Sequence, residues 1–477
     1  MTPLMSKLGV VCLIWSAGAL AADAPRLPDS VGSVLTRHGV AESGVSIVVR
    51  ELGSDKALLH FNADKTRNPA STIKLLTTWL ALEELGPAFK WPTEAYLAGE
   101  LKDDGTLDGD LIVKGYGDPY LITERLWAFQ RRLKQRGLRH ISGDLVIDSS
   151  YFADEYTDPG KFDGENLRSY NVAPNAFLVN FQAMHMLYEP DLGNNRVNVL
   201  VDPLPVNLNI DNQLRLVNGF CGGYQNGISV VATESMRRNN IVLSGKFGRG
   251  CEKYEMTRSA LTAPSFGYGV FKALWEESAG TLAGGWREGT APVDTEPFVR
   301  IESPPMSDVI EYVNKFSNNV MARHLLLTLG AIAFEPPATR GKGQQAIQDS
   351  LRRRGLTFDG LHVDNGAGLS RKTRIKAKDL AEILALAANS PWAPEYISSF
   401  SLSGLDGTMQ KRFAEEELTG RMHLKTGRLR DVFATAGYVH ARSGKDYAVV
   451  ILQNFRGADN GPGEAVQIAL LRWVYEQ

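Results

Sequence analysis

Two residues near the start of the chain have types and spacing suited to nucleophilic catalysis. In NPASTIKLLTTWLALEELGP, residues 68 to 87, Ser71 and Lys74 stand three positions apart at the start of an apolar helical run that follows a proline. Positions i and i+3 share a helix face, so the lysine can reach the serine hydroxyl and act as its base. The positive end of the helix dipole also bears on that first turn. Plainer roles exist, with Ser71 capping the helix and Lys74 on its wet face. A second constellation is Ser317-x-Asn319 in VNKFSNNVMARHLLLTLG, two polar side chains between helical runs. Ser169-Tyr170-Asn171 matches the same pattern in a loop rich in turn formers, and Ser and Asn commonly serve as helix N-caps. The third is Lys425-Thr426-Gly427 in HLKTGRL, on a short strand before a hairpin. A cation and a hydroxyl there can grip a carboxylate, and a strand glycine marks close approach of another backbone; a solvated lysine at a strand end is the simpler reading.

These groups need elements to bring them together. SGVSIVVREL and ALLHFN read as strands paired around Gly53-Ser54-Asp55, and the Ser71 helix ends at Gly86-Pro87. TAGYVHA and DYAVVILQN form a second hairpin across Ser443-Gly444-Lys445, followed by a closing helix, GEAVQIALLRWVYEQ. Hairpins at both ends predict one antiparallel sheet built from both termini, with everything between inserted into it. A helix–glycine–strand pattern recurs in LWAFQRRLKQRGLRHISGDLVIDSS, in AIQDSLRRRGLTFDGLHVDNGAGLS and, more weakly, in VFKALWEESAGTLAGGWREG. Residues 175–261 alternate polar and apolar instead, which predicts a small all-β module.

A chain of 477 residues exceeds one core. With 43% hydrophobic and 22% charged residues it has the composition of a soluble globular protein. A net charge of −2 lacks the basic excess of nucleic-acid partners. Lys7, the apolar run LGVVCLIWSAGALA containing Cys12, and small residues at Ala19 and Ala21 form a secretory signal cut between Ala21 and Ala22. No later stretch is apolar for long enough to span a bilayer. Removal of the signal leaves Cys221 and Cys251, and two cysteines in an exported chain favour one disulfide, contributing roughly 3–4 kcal/mol. Two cysteines and eight scattered histidines argue against a zinc site.

Taken together, Ser71-x-x-Lys74, Ser317-x-Asn319 and Lys425-Thr426-Gly427 resemble the three motifs of penicillin-binding serine transferases and hydrolases. KGYGDPYL (114–121), GDLVIDSSYF (143–152), DNGAGLSR (364–371) and GLDGTM (404–409) narrow the resemblance to the low-molecular-mass class C D-alanyl-D-alanine carboxypeptidases and endopeptidases, peptidase family S13. It spans nearly the whole mature chain and is weakest over 175–261. The resemblance implies an α/β (α+β) penicillin-binding transpeptidase/β-lactamase-like fold, with an antiparallel sheet flanked by helices and two nested inserted domains. The expected division is a signal at 1–21, a serine peptidase domain at 22–90 and 292–477, an α/β insert at 91–174 and 262–291, and a nested β-rich domain at 175–261. The interval from Lys74 to Ser317, far longer than a compact β-lactamase needs, agrees with that insertion.

The resemblance also implies roles. Ser71 attacks the carbonyl between two D-alanines, Lys74 takes its proton, Ser317 relays a proton to the leaving amine, and Asn319 holds Lys74 and the substrate amide. Lys425 and Thr426 bind the terminal carboxylate; the N–H groups of Ser71 and Arg428, the residue after Gly427, form the oxyanion hole. Arg428 departs from the small hydroxyl residue usual there. Asp148 and Phe152 would meet the ammonium and stem of a diaminopimelate side chain, although Asp148 also fits a turn former at a strand end. No cofactor is implied. Peptidoglycan stem peptides and β-lactams are the implied partners and the periplasm the implied location; oligomeric state, a homo-oligomer included, stays open. A β-lactamase, or a penicillin sensor or scaffold that acylates with little turnover, would use the same motifs.

Overall fold

The computed structural model describes residues 26–54, 57–155, 158–219, 221, 227–235 and 238–477. The expected secretory signal lies outside the described residues. The two terminal hairpins meet in one sheet, as expected from hairpins at both ends of the chain. Val45–Glu51 pairs along its length with Asp446–Asn454, and the antiparallel sheet runs in the order Ser401–Leu402, Met422–Leu429, Val432–His440, Asp446–Asn454, Val45–Glu51, Ala57–Phe61. Period-two alternation separates its faces. Val45, Ile47 and Val49 pack with Val31 and Leu35 of the Asp29–Arg37 helix and with Val466 and Leu470 of the closing Pro462–Tyr475 helix. Val48, Ala434, Ala436 and Val450 face the Lys74–Leu85 helix. That helix is buried from Lys74 through Leu82, which is why its sequence is apolar all round instead of striped. Gly86, at φ 81°, ends it by donating its N–H to Leu82 O, a left-handed position that suits glycine.

Residues between these parts form separate sheets. A seven-stranded mixed sheet contains Pro92–Leu101, Thr106–Gly115, Leu145–Asp148 and Val299–Glu302. The first and third helix–strand units both form and dock in parallel, with Thr281 beside His140 and Trp286 beside Leu145. The second unit is a correction. Its helix, Arg340–Arg353, forms, but only an isolated bridge from His362 to Arg374 follows. Gly366 and Gly368, at φ 70° and 79°, turn the chain out of extended geometry there. Over 175–261 the strands make two three-stranded sheets, one of them with Leu208–Val217 parallel to Arg238–Gly248. Cys221 and Cys251 are joined.

One buried group beside the catalytic part has a measurable consequence. His324, on the Asn319–Phe334 helix, is fully enclosed, with Nδ1 3.1 Å from Gly117 O and no partner for Nε2 among the described residues. Burial pushes its pKa from 6.5 down to about 4. The unfolded chain therefore takes up this proton first, so the stability it contributes is complete above pH 6.5 and is lost as pH falls to 4, about 3 kcal/mol in all. His324→Gln, which keeps a donor for Gly117 O, is expected to flatten the loss by about that amount in urea unfolding curves measured across this range. An unchanged pH slope would contradict this assignment.

Candidate active site

Ser71 lies in a 3-10 turn, Ala70–Ile73, that runs into the Lys74–Leu85 helix, so it precedes the α-helix instead of occupying its first turn. Ala70 takes φ 46°, unusual for a non-glycine residue, and its N–H donates to Asn68 Oδ1 at 2.9 Å. Asn68 N–H donates to Asn454 Oδ1 at 2.7 Å and Asn454 Nδ2 donates back to Asn68 O at 2.9 Å. The nucleophile turn is thereby pinned to the central sheet.

Lys74 is fully buried. Its Nζ lies 3.0 Å from Ser71 Oγ and 2.7 Å from Asn319 Oδ1, and it also donates to Ala367 O. That carbonyl belongs to the loop that stands where the second helix–strand unit was expected to have its strand. A Cβ on Gly368 would come within 2.0 Å of Ala70 O, so the loop presses directly on the nucleophile turn. Ser317 sits at φ 57° ahead of the helix; its neighbour Asn318 is the N-cap, accepting from Met321 N–H at 3.1 Å. The side chains of Ser317 and Asn319 are thus free of the capping role and turn to the two lysines. Lys425, fully buried on the Met422–Leu429 strand, donates to Ser317 Oγ at 2.8 Å and to Thr426 O at 2.9 Å. Thr426 Oγ1 donates to Thr408 Oγ1 at 2.9 Å, drawing in the 404–409 segment.

Desolvation and, next to it, the charge of Lys425 pull the Lys74 pKa well below its ordinary 10.5, and burial pushes that of Lys425 down to about 7. A lysine whose charged form is so disfavoured is competent to take a proton from a serine. Gly427 explains itself sterically. A Cβ there would stand 2.8 Å from Pro69 O and 2.9 Å from Ser71 N. The strand therefore crosses the nucleophile turn at backbone contact distance.

Above this floor opens a cavity of about 430 Å³. Ser71, Ser317 and Asn319 line its base, Phe162, Asp163 and Tyr170 one wall, and Arg371, Arg428 and Arg430 the rim. The rival Ser169-Tyr170-Asn171 lies in that wall, where Tyr170 O accepts from Asn319 Nδ2 at 3.3 Å. Asp148 and Phe152, expected to meet a diaminopimelate side chain, are not among the residues that line this cavity. Asp148 is 1% exposed and accepts from Ser150 N–H at 2.9 Å and Ala291 N–H at 2.8 Å, tying two strand ends together. Phe152 is packed against Ala176, Leu327 and Ala338, edge-on to His324. Asn68, Thr408, Ala367 and Tyr170 were not singled out from the sequence as site residues; two of them act through backbone carbonyls, which leave no residue signature.

A serine touching a desolvated lysine, with a second serine–lysine pair alongside at a sheet edge under helices, defines an active-site-serine enzyme of the penicillin-binding and β-lactamase-like fold. The chain belongs to the D-Ala-D-Ala carboxypeptidase 3 (S13) family, whose model matches residues 27–477, and is a serine-type carboxypeptidase. It is 25% identical over 474 residues to a D-alanyl-D-alanine carboxypeptidase of Actinomadura sp. (strain R39), covering 95% of this chain and 85% of the relative. It is 22% identical over 420 residues to the D-alanyl-D-alanine carboxypeptidase DacB of Haemophilus influenzae, covering 88% and 87% respectively. The crystal structure of penicillin binding protein 4 from Haemophilus influenzae superposes with a TM-score of 0.79 at 21% identity, over 94% of this chain and all of that one; the same protein has been solved with a β-lactam bound, at a TM-score of 0.74.

Proposed function

We propose that the protein is an exported, periplasmic D-alanyl-D-alanine carboxypeptidase and endopeptidase. It acts on peptidoglycan stem peptides and their cross-links through an acyl-enzyme on Ser71, and penicillins inhibit it. The observation that carries this reading is the 3.0 Å approach of Lys74 Nζ to Ser71 Oγ at a fully buried lysine.

In the reaction, neutral Lys74 takes the Ser71 hydroxyl proton as Oγ bonds to the carbonyl carbon of the penultimate D-alanine. The Ser71 and Arg428 N–H groups hold the oxyanion. The C–N bond then breaks; Ser317, fed by Lys425, passes a proton to the departing amine. Lys425 and Thr426 hold the terminal carboxylate, and Asn319 steadies Lys74 and the substrate amide. The proton held by Lys74 replaces the one given up through Lys425; water then attacks the ester, losing a proton to neutral Lys74, which hands it to Ser71 Oγ as the shortened peptide leaves. We propose the same division of the chain as the motifs suggested, with a peptidase domain at 22–90 and 292–477 and nested inserts at 91–174 with 262–291 and at 175–261. The carboxyl-terminal helix packs its apolar side on the sheet, which supports a protein free of that helix as a membrane anchor.

The purified mature protein is expected to release one equivalent of D-alanine from a muramyl pentapeptide ending in D-alanyl-D-alanine, with the release abolished by prior penicillin treatment. Penicillin acylation without D-alanine release would replace this reading with that of a sensor or scaffold.

A further inference from the structure

The helix that begins with Asn319 does more than present that side chain. One turn on, on the same face, stands Arg323. Asn319 Nδ2 donates to Tyr170 O at 3.3 Å, while Arg323 Nη1 donates to Asn171 O at 3.4 Å and to Val172 O at 2.7 Å. One helix face thus grips three successive carbonyls of the segment that walls the cavity. The wall is itself braced, because Tyr170 Oη donates to Asp163 Oδ2 and Asn171 Nδ2 to Asp163 Oδ1, both at 2.9 Å. Phe162, Asp163 and Tyr170 therefore hang on the catalytic helix as one unit, and Arg323 supplies two of the three bonds that attach it.

We propose that Arg323 is a positioning residue that ties the Tyr170 wall of the cleft to the helix carrying Asn319, so that substrate wall and lysine partner keep one geometry. This rests on the acyl-enzyme reading above. A charge effect accompanies the tie. Lys74 feels two cations, Lys425 from the Met422–Leu429 strand and Arg323 from the Asn319–Phe334 helix. On the adjoining loop, Asp364 pairs with Arg340 at 3.5 Å, and on the wall Asp163 is engaged by Tyr170 and Asn171. Arg323 itself has its pKa pushed down to about 10 by burial. Its removal relieves Lys74 of a neighbouring positive charge, so Lys74 holds its proton to higher pH.

The test compares wild type, Arg323→Gln and Arg323→Lys in two assays, penicillin acylation of Ser71 against pH and D-alanine release from the pentapeptide. Arg323→Gln is expected to raise KM about tenfold with a smaller change in kcat, and to move the ascending limb of the acylation profile up by on the order of one pH unit. Arg323→Lys, which keeps the charge but cannot span two carbonyls, is expected to restore the limb and leave KM raised. An unchanged KM in both variants, an unmoved limb in Arg323→Gln, or a uniform loss of kcat in parallel with thermal stability overturns the inference. If Arg323→Gln does not fold, the lysine variant decides, since an unchanged KM there overturns it. Wild type that fails to acylate refutes the acyl-enzyme reading itself, whereas active wild type with unaltered variants refutes only the role of Arg323.

Discussion

Lys74→Met is expected to slow acylation of Ser71 by a penicillin about 10²–10⁴-fold while leaving the protein folded. The reasoning is local. Methionine matches the unbranched stem in a site with no exposure, so the packing around the helix changes little. What disappears is the amine that touches Ser71 Oγ, Asn319 Oδ1 and Ala367 O. The serine loses the base that touches it, and the remaining rate reflects the carboxylate grip and backbone donors. The pH dependence provides a second readout. In wild type the rate rises as Lys74 sheds its proton, and desolvation together with Lys425 brings that rise well below pH 10.5. In the variant the ascending limb should vanish. A stopped-flow or quenched acylation series from pH 5 to 10 would expose a surviving limb, which would assign the base to some other group.

Gly427→Val should be nearly as damaging for a different reason. The position has no room, because even a Cβ meets Pro69 O at 2.8 Å, Ser71 N at 2.9 Å and Ala70 Cβ at 3.0 Å. Two of these are backbone atoms of a turn fastened to the sheet through Asn68 and Asn454, so the side chain cannot be absorbed by a rotamer change. The strand must lift away from the nucleophile. Loss of oxyanion geometry alone costs about 10²–10³ in rate, and the displaced Lys425 adds to it. The sheet itself should survive, since Gly427 pairs with Ala434 in the middle of a long ladder. Rates of D-alanine release and of penicillin acylation should both fall, with circular dichroism retained. Near-wild-type acylation would mean that the strand does not touch the nucleophile in solution.

How far the sequence reached depended on what kind of signal each feature leaves. The terminal hairpins were readable because short apolar runs around the polar turns Gly53-Ser54-Asp55 and Ser443-Gly444-Lys445 mark paired strands, and Val45–Glu51 and Asp446–Asn454 bury both faces. The three motifs were readable because the chemistry needs particular side chains; the structure bonds Lys74 to Ser71 and Asn319, bonds Lys425 to Ser317, and sets Ser71, Ser317 and Asn319 around one cavity. Ala367 and Tyr170 contribute carbonyls, which any residue could supply, so no letter marks them. The second helix–strand unit was misread because its apolar letters look like a strand, whereas Gly366 and Gly368 turn the backbone toward Lys74. The surroundings of Asp148 were not readable, because a carboxylate at a strand end reads alike whether it faces a ligand or accepts, as it does here, from Ala291 and Ser150 N–H. Arg323 sat within a quoted motif, but its importance comes from the carbonyls of a distant segment.

The central claim, that Ser71 is a nucleophile activated by Lys74, is tested most directly by incubating the purified mature protein with a penicillin, following intact mass over time and mapping the adduct. The account predicts a single, long-lived adduct of one penicillin per chain, located on Ser71 and absent in Ser71→Ala. An unmodified protein with the antibiotic recovered intact, or an adduct on another residue, would contradict it.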